Sequence, residues 1–105
     1  MHPERVSRDS LKKLTDLPNI GPAAASDLML LGIQKPAALI GRDAYQMYEE
    51  LCMLTQQRHD PCVIDVFLSV IRFMEGAPPQ AWWAYTEERR TTLQLRSASP
   101  PPSIV

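Results

Sequence analysis

The most reactive side chains of this sequence sit in one short run, Arg58-His59-Asp60-Pro61-Cys62, with Cys52 a little upstream. A thiol near a helix N-terminus suits a nucleophile, because the helix dipole and unpaired N–H groups favour the thiolate. The same residues suggest a metal site made by Cys52, His59 and Cys62. The metal reading fails on count, since three ligands are available and neither C-x-x-C nor H-x-x-x-H spacing occurs. The catalytic reading lacks a partner carboxylate or an oxyanion element, because Asp60 suits the cap of the helix that Pro61 opens. The run therefore reads as a capped helix start with a buried cysteine. No catalytic residue, metal ligand or cofactor is expected, and the chain is not expected to be an enzyme.

Trp82-Trp83-Ala84-Tyr85, followed by Arg89 and Arg90, offers a different chemistry. Aromatic faces beside cations can stack single-stranded bases. The competing role is a clamp that holds a terminal helix on the core. Adjacent tryptophans cannot share one helix face, so Trp82 and Tyr85 go with Arg89 while Trp83 points elsewhere. Asp65, Ser69 and Arg72 are spaced by four and three and form one narrow polar stripe. That stripe is either solvated or a semi-buried network.

The third candidate is Leu14-Thr15-Asp16-Leu17-Pro18-Asn19-Ile20-Gly21-Pro22. Leu11, Leu14 and Leu17 put an apolar stripe on a short first helix. Asn19 and Gly21 tolerate the positive φ of a sharp reversal, and Pro22 suits the first position of the next helix. Ala24, Leu28 and Leu31 line that second helix. The stretch resembles the helix-hairpin-helix motif, whose hairpin is usually Gly-hydrophobic-Gly after Leu-Pro. The resemblance implies phosphate contact by the hairpin amides and the start of the second helix, without base reading. With the nearby Lys12 and Lys13 added for their charge, the candidate nucleic-acid-contacting residues are Lys12, Lys13, Asn19, Gly21, Ala23 and Ala24, with Ile20 tucked inward. Asn19 in place of glycine, alanines at 23 and 24 where DNA-contacting copies carry Lys or Arg, and Asp16 and Asp27 nearby argue the other way. Lys12, Lys13, Arg5, Arg8 and Lys35 leave residues 1–35 mildly basic.

The elements that must position these groups follow from periodicity and punctuation. Gly32 closes the second helix, with Ile33 folding back as its apolar partner. A short turn runs from Pro36 to Ile40 and stops at Gly41. Asp43 caps a helix to about Thr55, whose inner face holds Ala44, Tyr48, Leu51, Cys52 and Thr55. Asp60 and Pro61 open the helix Cys62–Glu75, apolar on nearly every side and hence central. An amphipathic segment from Gln80 to about Leu95 ends the ordered chain. A shift of twenty residues aligns Ile20-Gly21 with Ile40-Gly41 and Ala24 with Ala44, which suggests a second hairpin; a plain turn and packing helix is the alternative.

Several segments together extend the resemblance. Leu-Thr-Asp-Leu-Pro-Asn-Ile-Gly-Pro, Asp-Leu-Met-Leu-Leu-Gly-Ile, Arg-His-Asp-Pro-Cys-Val-Ile-Asp-Val-Phe, Arg-Phe-Met-Glu-Gly and Trp-Trp-Ala-Tyr-Thr occur in that order. From Ser10 to Arg90 the chain resembles the pathogenicity-locus family of small bacterial helix-hairpin-helix proteins, some of them called mitomycin resistance proteins. The hairpin half is also similar to the C-terminal domain of TfoX-like competence regulators. The resemblance implies a bacterial cytoplasmic protein with a DNA-related role and no established enzyme activity.

Length and charge bound these readings. A chain of 105 residues, 45% apolar and 22% charged, fits one globular domain. A net charge of -1 excludes a polycation drawn to nucleic acid by bulk charge. The expected fold is all-α: a SAM-domain-like, helix-hairpin-helix bundle of about five helices over 8–95, with a loose arm at 1–7 and a disordered Ser/Pro tail at 96–105. The expected partner is DNA, bound weakly, non-specifically and salt-dependently. The alternative is a protein partner or self-association with the hairpin as scaffold. No membrane partner is expected, since no apolar run is long enough to span a bilayer.

Overall fold

The computed structural model describes residues 1–98. Its frame is four α-helices: α1 Pro22–Leu30, α2 Ala44–Thr55, α3 Cys62–Met74 and α4 Thr86–Ala98. Single 3-10 turns at Pro3–Arg5, Arg8–Ser10, Leu14–Asp16, Pro36–Leu39 and Trp82–Tyr85 precede or join them. No strand occurs among the described residues. The all-helical class read from the sequence is the class observed.

The middle of the bundle belongs to α3. Ile64, Phe67, Leu68, Val70, Ile71 and Phe73 are buried on several of its sides, and each such side chain contributes roughly 1.5–3 kcal/mol by leaving water. Helices α2 and α4 and the turns at Pro36–Leu39 and Trp82–Tyr85 all pack on it. Helix α2 starts where Asp43 accepts hydrogen bonds from the N–H groups of Tyr45 and Gln46, at 2.8 and 3.3 Å. Its buried face is Ala44, Met47, Tyr48, Leu51 and Cys52; Met47 completes the set expected from spacing. Helix α1 ends in a Schellman motif. Gly32 has φ +83°, and the Ile33 N–H donates to Leu28 O at 2.9 Å while both side chains are buried.

The stretch before α1 differs from expectation. In place of an α-helix, residues 8–17 hold two 3-10 turns joined by extended backbone at Leu11 and Lys13. The cause is local. The Asp16 carboxylate accepts hydrogen bonds from the backbone N–H groups of Lys12 and Lys13, at 2.9 and 3.0 Å. Those amides thereby gain an acceptor outside any helical ladder. A three-residue leucine spacing also matches the 3-10 period, so Leu14 and Leu17 are still buried and Leu11 half-buried. Four α-helices therefore stand where about five were expected.

Three further boundaries are sharpened. The twenty-residue shift does not carry a second hairpin turn, because Ile40 is 55% exposed where Ile20 is 0%, and Gly41 has φ +81° where Gly21 has −96°. The expected arm at 1–7 is docked: the Met1 ammonium donates to Leu17 O and Ile20 O, each at 2.8 Å. Helix α4 begins only after the Trp82–Tyr85 turn and runs on to Ala98. The rest of the expected tail lies outside the described residues.

Candidate nucleic-acid interface

The Leu17–Ala24 turn is tied down from within, and Met1 lies against it, its carbonyl accepting the Asn19 N–H at 2.7 Å while its ammonium donates to Leu17 O and Ile20 O. Ile20 is fully buried, as the sequence suggested. Asn19 takes the left-handed conformation at φ 66°, which its short polar side chain tolerates better than most. Its carboxamide donates to Ser69 Oγ at 3.0 Å and to Gln80 O at 2.8 Å. Ser69 in turn donates to Val66 O at 2.7 Å. The Asn19 side chain is thus a clamp between the turn, α3 and the Pro79–Trp82 loop.

Gly21 is different. Its backbone (φ −96°, ψ −173°) is open to any residue, and a Cβ there would meet nothing within 4 Å. The fold itself gives no steric reason for glycine at this position. Gly21, Pro22 and Ala23 are exposed and Ala24 is half-buried. As the first residues of a helix, Gly21, Ala23 and Ala24 carry N–H groups with no intrahelical acceptor. Helix α1 has no side-chain cap and no acidic residue in its first turn. By contrast, α2 starts on Asp43, and the Asp60 carboxylate accepts the Cys62 N–H at 2.8 Å.

The Leu14–Asp16 turn that follows Lys12 and Lys13 packs on α1. Lys12 and Lys13 are exposed, and neither ammonium is in an ion pair among the described residues. Asp16 moderates their charge. Hydrogen bonds from the Lys12 and Lys13 N–H groups, and then the two ammonium charges, hold its carboxyl below the usual carboxylate range. Arg8, counted with the basic group from the sequence, has another duty. Its guanidinium donates to Phe73 O (2.6 Å) and Ala77 O (2.9 Å) and stands 4.1 Å from the centre of the Phe73 ring. It closes the C-terminal end of α3, where a cation is favoured.

The polar stripe of α3 is a network rather than a solvated face. Asp65 is fully buried and accepts from Thr86 Oγ1 (2.8 Å), Arg89 Nε (2.9 Å) and Arg89 Nη2 (3.3 Å). Ser69 holds Asn19, and Arg72 pairs with Glu88 through two nitrogens. Asp65 and Arg72 fasten α4 to the central helix, and Ser69 fastens the turn before α1. Sequence spacing located the stripe; its partners, far away in the chain, carried no local signal.

The Arg58–Cys62 run is structural in its contacts. The Tyr48 hydroxyl donates to His59 O, and the His59 N–H meets Cys52 Sγ at 3.5 Å. The Thr55 hydroxyl donates to Leu51 O at 2.8 Å, so His59 Nε2, 2.7 Å from Thr55 Oγ1, must carry the hydrogen between them. Cys62 is half-buried, and its hydrogen bond to Asp60 pushes the thiol above its ordinary value, with burial and the Asp60 charge adding to the shift. This is the reverse of thiolate activation. Among the described residues, no group of three His, Cys, Asp or Glu side chains is placed to hold a metal ion.

Fold and turn together define a small all-helical protein whose first α-helix starts uncapped and whose chain shortly before it carries two lysines without an ion pair among the described residues. The chain belongs to the pathogenicity locus (Cdd1) family, whose model matches residues 7–91. It is similar to the mitomycin resistance protein McrB of Streptomyces lavendulae, with 39% identity over 80 residues covering 76% of each chain. No solved structure matches it. Among the described residues, no helix is long and apolar enough to cross a membrane.

Proposed function

We propose that residues 11–31 act as a helix-hairpin-helix unit, its first helix shortened to 3-10 turns, that holds a DNA phosphate without reading sequence. The Gly21, Ala23 and Ala24 amides would contact the anion, and Lys12 and Lys13 would add counter-charge. The observation that carries this reading is Gly21 itself: an exposed glycine with ordinary backbone angles and empty space around it, at the start of an uncapped helix. Close approach of an external group explains a missing side chain that the fold does not require. The role is non-enzymatic. The name of the similar protein, mitomycin resistance protein McrB, supports a role in resistance.

Gly21→Asp separates function from fold. An aspartate at this extended position supplies the missing cap, so thermal stability rises by about a few tenths of a kcal/mol. Its carboxylate occupies the anion site, so DNA binding at low salt is lost. Gln34→Asp, at an exposed site after α1, adds the same charge and leaves most binding in place. Equal losses in the two variants would refute the site. With two lysine contacts, log K against log salt has a slope near −2.

A second reading, self-association with the hairpin as scaffold, is favoured by an apolar groove of about 320 Å³ lined by Leu30, Leu31, Glu50, Met53 and Leu54. Met53 is 77% exposed there. A dimer in sedimentation that Met53→Glu disperses supports this reading, and a monomer removes it.

A further inference from the structure

A groove of about 860 Å³ opens directly beside the turn. Its wall runs from Asn19 to Gln80, whose carbonyl holds the Asn19 carboxamide, and on to Trp82 and Trp83. His2 and Val6 form part of the opposite side. Trp83 is 65% exposed, although full burial of an indole is one of the larger single gains a small core can make. The clamp reading accounts for Tyr85, which is buried, and for Trp82, which is half-buried. It leaves Trp83 without a task. The two indoles meet edge to face, with centroids 5.5 Å apart and planes at 82°. Trp82 thus props Trp83 from one side and leaves it open to the groove and to solvent.

This geometry differs from that of the turn in the chemistry it offers. The turn presents N–H groups and suits an anion. The groove lining carries one carboxylate, Glu4, and is otherwise mainly apolar and aromatic, so it suits a flat, uncharged ring. A nucleotide strand has these two parts in adjacent positions, a phosphate and a base. In duplex DNA the base faces are covered by their neighbours; in a single strand they are free to stack on an aromatic side chain. A volume of this size also lies within the range of clefts that hold small ligands.

We propose that the groove stacks an unpaired base of single-stranded DNA on Trp83 while a neighbouring phosphate lies on the Gly21–Ala24 amides. The inference rests on the phosphate reading of the turn and names the form of DNA that the site prefers. Duplex DNA engages the turn alone and binds more weakly.

The test uses the full chain, an oligothymidylate and a duplex of equal length, at low salt. Anisotropy of the labelled DNA and the protein's indole fluorescence are read together. Wild type binds the single strand more tightly than the duplex, and its fluorescence is quenched by the single strand. Trp83→Ala weakens single-strand binding on the order of ten-fold, leaves duplex binding unchanged and removes most of the quenching. Trp83→Phe restores much of the loss. The residue is exposed, so circular dichroism of the Trp83 variants matches wild type. Lys12→Ala/Lys13→Ala weakens both DNA forms in parallel. If Trp83→Ala binds both forms as wild type does, the stacking site is wrong and the phosphate reading survives. If neither form binds wild type, both are wrong.

Discussion

Asn19 joins fold and function most directly, and its replacement gives graded, calculable effects. The carboxamide makes two hydrogen bonds, to Ser69 Oγ and Gln80 O, from a residue at φ 66°. Each bond contributes about 0.5–1.5 kcal/mol net, and a Cβ-bearing residue in the left-handed region costs about 1 kcal/mol relative to glycine. Asn19→Ala loses both bonds and keeps the backbone cost without local compensation, so it destabilises by about 2–4 kcal/mol. Asn19→Gly loses the same bonds but carries no left-handed backbone cost, for about 1–3 kcal/mol. The gap of about 1 kcal/mol between them measures the left-handed conformation itself. Urea unfolding followed by circular dichroism gives both values, and in a domain of this size each kcal/mol corresponds to about 4–8 °C in Tm. Because the side chain points to α3, away from the outer side of the turn, Asn19→Gly leaves DNA affinity within about two-fold of wild type once the variant is folded. A glycine variant as stable as wild type would overturn the clamp. A marked gain in DNA affinity would show that Asn19 faces the phosphate after all.

Two further outcomes follow from the interior. Asp65 is fully buried and Arg89 is 11% exposed in their ion pair, so Arg89→Met strands a buried charge and destabilises by about 3–5 kcal/mol. Asp65→Leu/Arg89→Met, which removes both charges, recovers most of that in thermal unfolding; no recovery would mean that packing rather than charge dominates. Cys62, with its thiol pushed above the ordinary 9.0, alkylates more slowly than a free cysteine at neutral pH, and its rate is still climbing with pH where that of a free thiol has begun to level off. Removing the Asp60 charge and hydrogen bond in Asp60→Asn brings the thiol down and accelerates the reaction at fixed pH. An unchanged alkylation rate would refute Asp60 as the cause.

What the sequence made legible was local. Gly32, Asp43 and Asp60 act at distances of a few residues, and α1, α2 and α3 begin or end where those residues place them. The apolar periodicity of residues 62–74 identified the central helix because burial on many sides leaves few polar positions. The stretch 8–17 departs from its expected helix for an equally local reason. A three-residue leucine spacing serves both an α-helix and a pair of 3-10 turns, and only the Asp16 bonds to the Lys12 and Lys13 amides decide between them. Long-range polar contacts were not legible at all. Nothing near Asn19 points to Ser69 or Gln80, and nothing near Arg8 points to Phe73. The consequence for the site is specific: Asn19 read as an obstacle to phosphate, yet its side chain turns inward and removes that objection.

Net charge was the strongest argument against DNA, and the pairing pattern changes what it means. Arg42, Arg58, Arg72, Arg89 and Arg96 each face a carboxylate, on Glu50, Glu49, Glu88, Asp65 and Asp43. These pairs bind the middle and C-terminal parts of the chain to one another and contribute little net field outside the molecule. Arg8 is held against the end of α3. Among the described residues, the cations in neither arrangement are Arg5, Lys12, Lys13, Lys35 and Arg90, and four of these five lie in residues 1–35. The carboxylate nearest the two lysines, Asp16, is fixed on their backbone amides. Glu4, Asp9, Asp16 and Asp27 in the same residues 1–35 also stand outside these ion pairs. The overall charge of -1 therefore leaves at most a local positive spot at Lys12 and Lys13, too small to attract DNA from a distance. Binding of this kind must depend on short-range contacts at Gly21 and on whatever the neighbouring groove adds. That is why Gly21→Asp and Trp83→Ala, rather than a change in total charge, decide the matter.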